Sequence, residues 1–153
     1  MDFINKIFEL DFKSLVPDMG MLLDKAQDLV TVSVLVGPLV LILLGLLYMF
    51  KSPKEANHSF GYRTYFGMGS VEAWQFTQRV GGTTFVVLGF CLLLVMLVVV
   101  SDFSTKDPFD ISVLAMKCML WQAALVILSR IGVAITAAVC FDSFGNRRRE
   151  KEI

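Results

Sequence analysis

One histidine and three cysteines are all that the 153 residues offer toward a metal centre or a disulfide framework. His58 alone falls short of the set of protein ligands a catalytic zinc site needs. Cys91, Cys118 and Cys140 sit at different depths of apolar stretches, so they read as small buried residues, and no disulfide is expected. Charge is also scarce, at 18% of the chain against about 25% in ordinary soluble domains. Fourteen Lys and Arg balance fourteen Asp and Glu, and a formal charge of zero argues against a general nucleic-acid binder. There is no acid–base pair, nucleophile elbow or phosphate-binding glycine motif, so neither an enzyme nor a cofactor is expected. Internal repeats and low-complexity stretches are absent too. What the chain has is apolar bulk, 56% of it, which excludes disorder and points to a membrane.

The absence of charge locates the spans. No charged residue interrupts Leu29 to Phe50 or Val80 to Ser101. A helix needs about 20 such residues to cross a hydrocarbon core of about 30 Å. The backbone must satisfy its own hydrogen bonds there, so both windows predict transmembrane helices, and Pro38 in the first is tolerable with a local kink. Ile111 to Phe141 is interrupted by Lys117 and Arg130. It is too short for two crossings, and it predicts one tilted helix near Cys118–Cys140, extended into the interface by Ile111–Lys117. The expected fold is an all-α integral membrane protein of three spans.

Orientation follows from short basic loops. Residues 51–79 carry Lys51, Lys54, Arg63 and Arg79, and the tail carries Arg147, Arg148, Arg149 and Lys151. The 101–110 connection has Lys106 among Asp102, Asp107 and Asp110. The expectation is a multi-pass plasma-membrane protein with the 51–79 loop and C-terminus cytoplasmic and the N-terminus outside. Residues 1–28 are neither span nor signal peptide, since Asp2, Glu9, Asp11 and Lys13 break any apolar core. Phe3, Ile7 and Leu10, then Phe8, Phe12 and Leu15, recur at helical spacing and predict an amphipathic helix up to Pro17, lying on lipid or on a partner. The domains expected are this segment at 1–28, a three-helix region at 29–141 and a basic tail at 142–153.

Residues 53–82 carry the most information. Gly61 permits a tight turn. Phe60, Tyr62, Tyr65 and Phe66 suit headgroup level, as does Trp74, about one turn outside the apolar core. Arg63 offers a planar fork of donors for a carboxylate or phosphate. Ser70 is a good N-cap and Glu72 suits the first turn, so the second helix should start near Val71. Asn57, then Gly61-Tyr62-Arg63-Thr64, then Met68, Trp74, Phe76 and Gln78 resemble the signature of the SdpI family of small membrane proteins. Gly67 stands where that pattern usually has Ser, and Ser70 where it has Asn. The resemblance covers roughly residues 30–140. It implies a bacterial membrane protein of the toxin-immunity type, which binds a membrane-active peptide or occupies that peptide's target. The alternative is an accessory or structural subunit of a larger membrane complex, such as a transporter or secretion assembly.

Arg130 is the costliest residue in the chain. If its helix ends near Asp142, it lies about 17 Å deep at about 1.5 Å per residue. An intramembrane charge is a functional-site hypothesis by default, with snorkelling toward the cytoplasm as the alternative. No Asp or Glu lies inside the three windows. The partners considered are helix carbonyls, Thr83, Thr84, Ser33, Gln122, a lipid phosphate or an acidic group on another chain. Arg63 with Thr64 near a helix start suits an anion such as a headgroup phosphate. Lys117 and Trp121 suit anchoring at the outer interface. Gly82 with Gly89, and Gly132, Thr136, Ala134 and Ala138, allow close helix packing inside the bundle or between protomers. The candidate ligand- or partner-binding set is Asn57, Gly61, Tyr62, Arg63, Thr64, Trp74, Gln78 and Arg130, with Asn57 and Trp74 better suited to fixing the loop. The partners expected are the bilayer, a peptide toxin or another membrane protein, and further copies in a homo- or hetero-oligomer.

Overall fold

The computed structural model describes residues 19–56 and 60–148, with side chains from Lys25 onward. Three long helices make the fold: α1 Met19–Phe50, α2 Val71–Ser101 and α3 Pro108–Cys140. The described residues contain no strand, only a single bridge between Phe141 and Arg147. Lys25–Phe50, Val71–Thr105 and Pro108–Cys140 are each long and apolar enough to cross a membrane. Leu29, Val98, Leu120 and Val139 point outward and exposed, and helices that are apolar all round belong in lipid.

The helix starts show what charge does and does not mark. α1 begins at Met19, well before Leu29, because Asp24, Lys25 and Asp28 end an apolar window without ending a helix. Residue 28 thus lies inside α1. The amphipathic helix expected up to Pro17 lies outside the described residues. α2 starts at Val71 as its cap foretells: Ser70 is extended and its hydroxyl accepts from the Ala73 N–H at 3.1 Å. α3 begins at Pro108, a residue suited to a first turn, and runs unbroken through Lys117 and Arg130.

The helices form two core clusters along one bundle. At the end nearest residues 101–107, Val34, Met96, Phe103, Ile111, Ala115 and Cys118 pack together. Phe103 sits in a short 3-10 turn, Phe103–Thr105, and Asp102 and Lys106 pair on its flank. Toward the opposite end, Leu41, Tyr62, Phe85, Leu92 and Val133 form the second cluster. α1 and α2 run antiparallel in close approach. A Cβ on Gly82 would stand 2.8 Å from the Gly45 carbonyl, and one on Gly89 would stand 3.0 Å from that of Pro38. The Gly82 and Gly89 pair thus works inside the fold. The small residues of α3 do not all do so, because Gly132 has nothing within 4 Å of its Cβ position and Thr136 is exposed. Val133 and Ala137 are the buried positions there. The cysteines are free, with Cys118 buried, Cys140 half-buried and Cys91 exposed rather than buried as its apolar neighbours suggested.

Candidate functional site: a loop folded back against an arginine of the third helix

The loop between α1 and α2 does not hang from the bundle. It is pulled in by three side chains of α2. Trp74 donates its indole N–H to the Pro53 carbonyl at 2.8 Å, and Gln75 reaches the Lys54 carbonyl at 3.4 Å. Gln78 closes a two-bond clamp on Tyr62. Its Oε1 accepts from the Tyr62 N–H at 2.7 Å, and its Nε2 donates to the Tyr62 carbonyl at 2.8 Å. The Gln78 clamp is buried, so each of its two bonds also prevents an unsatisfied backbone group, whereas the Gln75 bond is exposed. Gly61 makes the geometry possible. Its φ is +126°, and a Cβ there would lie 2.6 Å from the Trp74 ring.

The clamp drives the Tyr62 ring into the second core cluster. The ring lies over Gly81, where a Cβ would come within 2.7 Å, and meets Phe85 and Tyr48 edge-on at 5.4 and 5.9 Å. Phe60 extends the cluster, 5.8 Å from Tyr48. Thr64 then turns the chain by accepting from the Gly67 N–H at 3.0 Å, and Phe66–Met68 forms a 3-10 turn. Gly67 fits between the hydroxyls of Thr64 and Thr77, each 2.5 Å from where a Cβ would be.

The segment after α3 closes on the same end. Phe141 is buried and packs on Phe76 at 5.3 Å. A turn through Asp142 and Gly145, the latter at φ +78°, brings the Gly145 carbonyl within 2.7 Å of the Ser70 hydroxyl. Arg147 pairs with Glu72 at 2.5 Å and lies over Phe141, while Arg148 donates to the Phe141 carbonyl at 3.2 Å. Arg147 thus ties this segment to the start of α2, and Arg148 closes it back on Phe141.

Arg130 meets this assembly from α3. Its guanidinium carbon stands 5.2 Å from the centroid of the Tyr62 ring, a cation–π contact. None of the side chains considered as its partner serves it. Thr83 faces Met49, Thr84 bonds the Val80 carbonyl, Ser33 bonds the Leu29 carbonyl and Gln122 bonds the Val34 carbonyl. Among the described residues Arg130 makes no salt bridge or hydrogen bond. Between it and the loop runs a groove of about 440 Å³. Tyr62, Arg63, Thr64, Tyr65 and Phe66 line one side, and Arg130, Ile131, Ala134, Ile135 and Ala138 the other. Among the described residues the lining holds two guanidinium groups and no carboxylate. Burial pushes the Tyr62 phenol above its ordinary pKa, with the Arg130 charge acting in the opposite sense and Tyr48 adding to the rise. The Tyr62 hydroxyl is itself buried and finds no hydrogen-bond partner among the described residues.

Of the residues singled out in the sequence, Gly61, Tyr62, Trp74 and Gln78 come together as the loop clamp, and Tyr62, Arg63, Thr64 and Arg130 share the groove. Asn57 and His58 lie outside the described residues. Trp74 and Tyr62 pack into the protein, being 0% and 2% exposed, rather than turning their rings outward. Tyr65 does project, at 77%. Tyr48, Gly81 and Phe85 also surround Tyr62, and they lie in apolar windows where nothing in the sequence separates them from outward-facing neighbours.

The fold and this site define an all-helical protein with three helices fit to span a membrane and a polar loop locked onto their ends. A family model described as the SdpI/YfhL protein family matches residues 54–140, from the loop to the last residue of α3. The match takes in more than half of the chain, and the chain belongs to that family. Apolar helices and family together point to a membrane protein. No curated protein and no solved structure matches it.

Proposed function

We propose that the protein is a membrane immunity protein of the SdpI type, which antagonises a membrane-active toxin peptide from within the bilayer. It acts by binding the peptide or by occupying the peptide's target, and it works as a binder rather than as an enzyme. The observation that supports this reading is the meeting of Arg130 with Tyr62. Both lie in the family-matched region, and together they hold a charge deep in an apolar span, where charges mark function by default. In this reading the basic loop and tail face the cytoplasm and the N-terminus faces outward, as short basic loops dictate.

Expression in a host sensitive to a peptide toxin encoded beside the gene tests the proposal. Survival of challenge is expected with the native chain and is expected to be lost in Arg130→Leu at equal membrane abundance. No protection from any such toxin, with the protein present in the membrane, would sink it. A second reading, a subunit of a larger membrane assembly, draws on the open face around Gly132 and Thr136, where nothing lies within 4 Å of the Gly132 Cβ position. Small residues on an outward face permit close approach of another helix, from a second copy or another protein. Purification in mild detergent with cross-linking from position 132 separates the two. A stoichiometric companion without protection would favour the subunit.

A further inference from the structure

We infer that the groove between the loop and α3 binds the phosphate of an anionic phospholipid. Arg130 lies about 15 Å from the Cys140 end of α3 at about 1.5 Å per residue, yet its side chain is exposed. Its residue type keeps its charge in any surroundings, so the charge must be answered where it stands. The guanidinium lies over the Tyr62 ring and makes no hydrogen bond or ion pair among the described residues, which leaves its N–H donors for a planar, bidentate acceptor. Arg63 adds a second guanidinium to the same lining, and Thr64 a hydroxyl. The lining has no carboxylate among the described residues to hold an ammonium or choline group, so a headgroup of net negative charge is favoured over a zwitterionic one.

The walls argue for a lipid rather than a free anion. Ala134 and Ala138 are the small residues that leave the space, and Ile131 and Ile135 open the groove sideways onto the lipid-facing surface. Below Arg130, one turn along the same face of α3, Ile127 is exposed at 59% and continues an apolar track for an acyl chain. The volume of about 440 Å³ lies in the range of small-ligand sites. The long arginine side chain reaches from its backbone toward headgroup depth, which places the phosphate at the upper part of the groove. The site goes beyond the immunity reading and does not depend on it: a chain that binds this lipid and fails to protect sinks only that reading.

The test is native mass spectrometry of the full chain, released from detergent with equimolar phosphatidylglycerol and phosphatidylcholine of the same acyl chains. About tenfold greater retention of phosphatidylglycerol is expected, the ratio given by about 1.4 kcal/mol of repulsion between the choline cation and the two guanidinium groups, since both lipids offer the same phosphate. Arg130→Gln should bring the two lipids to parity, while Arg79→Gln, a basic residue outside the groove, should keep the preference. Ala134→Leu fills the groove without touching a charge and should release both lipids. It carries the test if Arg130→Gln does not fold, with helical circular dichroism as the control for each. Equal retention of the two lipids by the native chain overturns the inference, as does a preference that survives both groove variants. Displacement of the lipid by an equal concentration of soluble glycerol phosphate also overturns it, since a free-phosphate site would then be at work. So does Arg130-dependent retention of a toxin peptide with no lipid preference.

Discussion

Gln122 on α3 donates its side-chain amide to the carbonyl of Val34 on α1 at 3.1 Å, and both are buried. In a regular helix that carbonyl would accept from the N–H four residues on, but the residue there is Pro38, which has none. The third helix therefore supplies the donor that the first helix lacks. The Gln122 side chain also packs against Gly37, where a Cβ would collide with its Oε1. Gln122→Leu is expected to cost about 0.5–2 kcal/mol, the range for interhelical bonds in bilayers and for a stranded buried carbonyl. With Pro38→Ala in place the Val34 carbonyl regains its own helix partner, so the same change should cost less. A double-mutant cycle on unfolding in micelles measures the coupling. An equal cost of Gln122→Leu in both backgrounds would separate the bond from the proline.

Gly61 is the loop position with least freedom to change. An alanine would have to hold φ near +126° and place its Cβ 2.6 Å from the Trp74 ring. Left-handed strain alone costs about 1–3 kcal/mol, and overpacking against a buried indole adds to it. Gly61→Ala should lower the unfolding midpoint and expose the loop to limited proteolysis between residues 51 and 70. A fully protected loop in the variant would mean that the clamp does not depend on this turn.

Much of this architecture is legible in the sequence because lipid imposes simple rules. Charge-free windows locate α1 and α2, and Ser70 with Glu72 marks where α2 starts. The loop motif picks out Gly61, Tyr62, Trp74 and Gln78, while the burial of Trp74 and Tyr62 inside the protein is not written in it. Distance along the chain from an apolar window says how far a residue can be from the bilayer, not whether its loop folds back. Carbonyls, hydroxyls, an amide, a lipid phosphate or an acid on another chain are the partners that the sequence suggests for Arg130, while the face of an aromatic ring serves as well. Gln122 drew attention only as a possible partner of that arginine. Its use becomes visible once Pro38 is asked which carbonyl it leaves without a donor.

The C-terminal clip contains two contacts of very different weight. Ser70 both caps α2, accepting from Ala73, and donates to the Gly145 carbonyl, with its surroundings partly buried. Ser70→Ala removes both bonds and should cost about 1–2 kcal/mol, the range for a lost helix cap. The Glu72–Arg147 pair has side chains 57% and 51% exposed, so water screens it. Glu72→Gln should change stability by less than about 0.5 kcal/mol. Thermal unfolding of the two variants side by side gives the ranking. A larger loss from Glu72→Gln would show that charge, rather than the hydroxyl, holds the clip.

Tyr62 carries the pH prediction. Burial raises its phenol above the ordinary value of 10.0, and this outweighs the opposing pull of Arg130. The unfolded chain therefore ionises this tyrosine first. The contribution of the buried phenol to stability is whole below pH 10.0 and drains away as pH climbs through the folded pKa. Ultraviolet titration of the native chain minus Tyr62→Phe, both in micelles, isolates the phenolate signal of this residue, which should appear above pH 10.0. Arg130→Gln removes the charge that favours phenolate, so the signal should move further up. A shift downward, or none, would place the guanidinium away from the ring and undo the contact on which the groove is built.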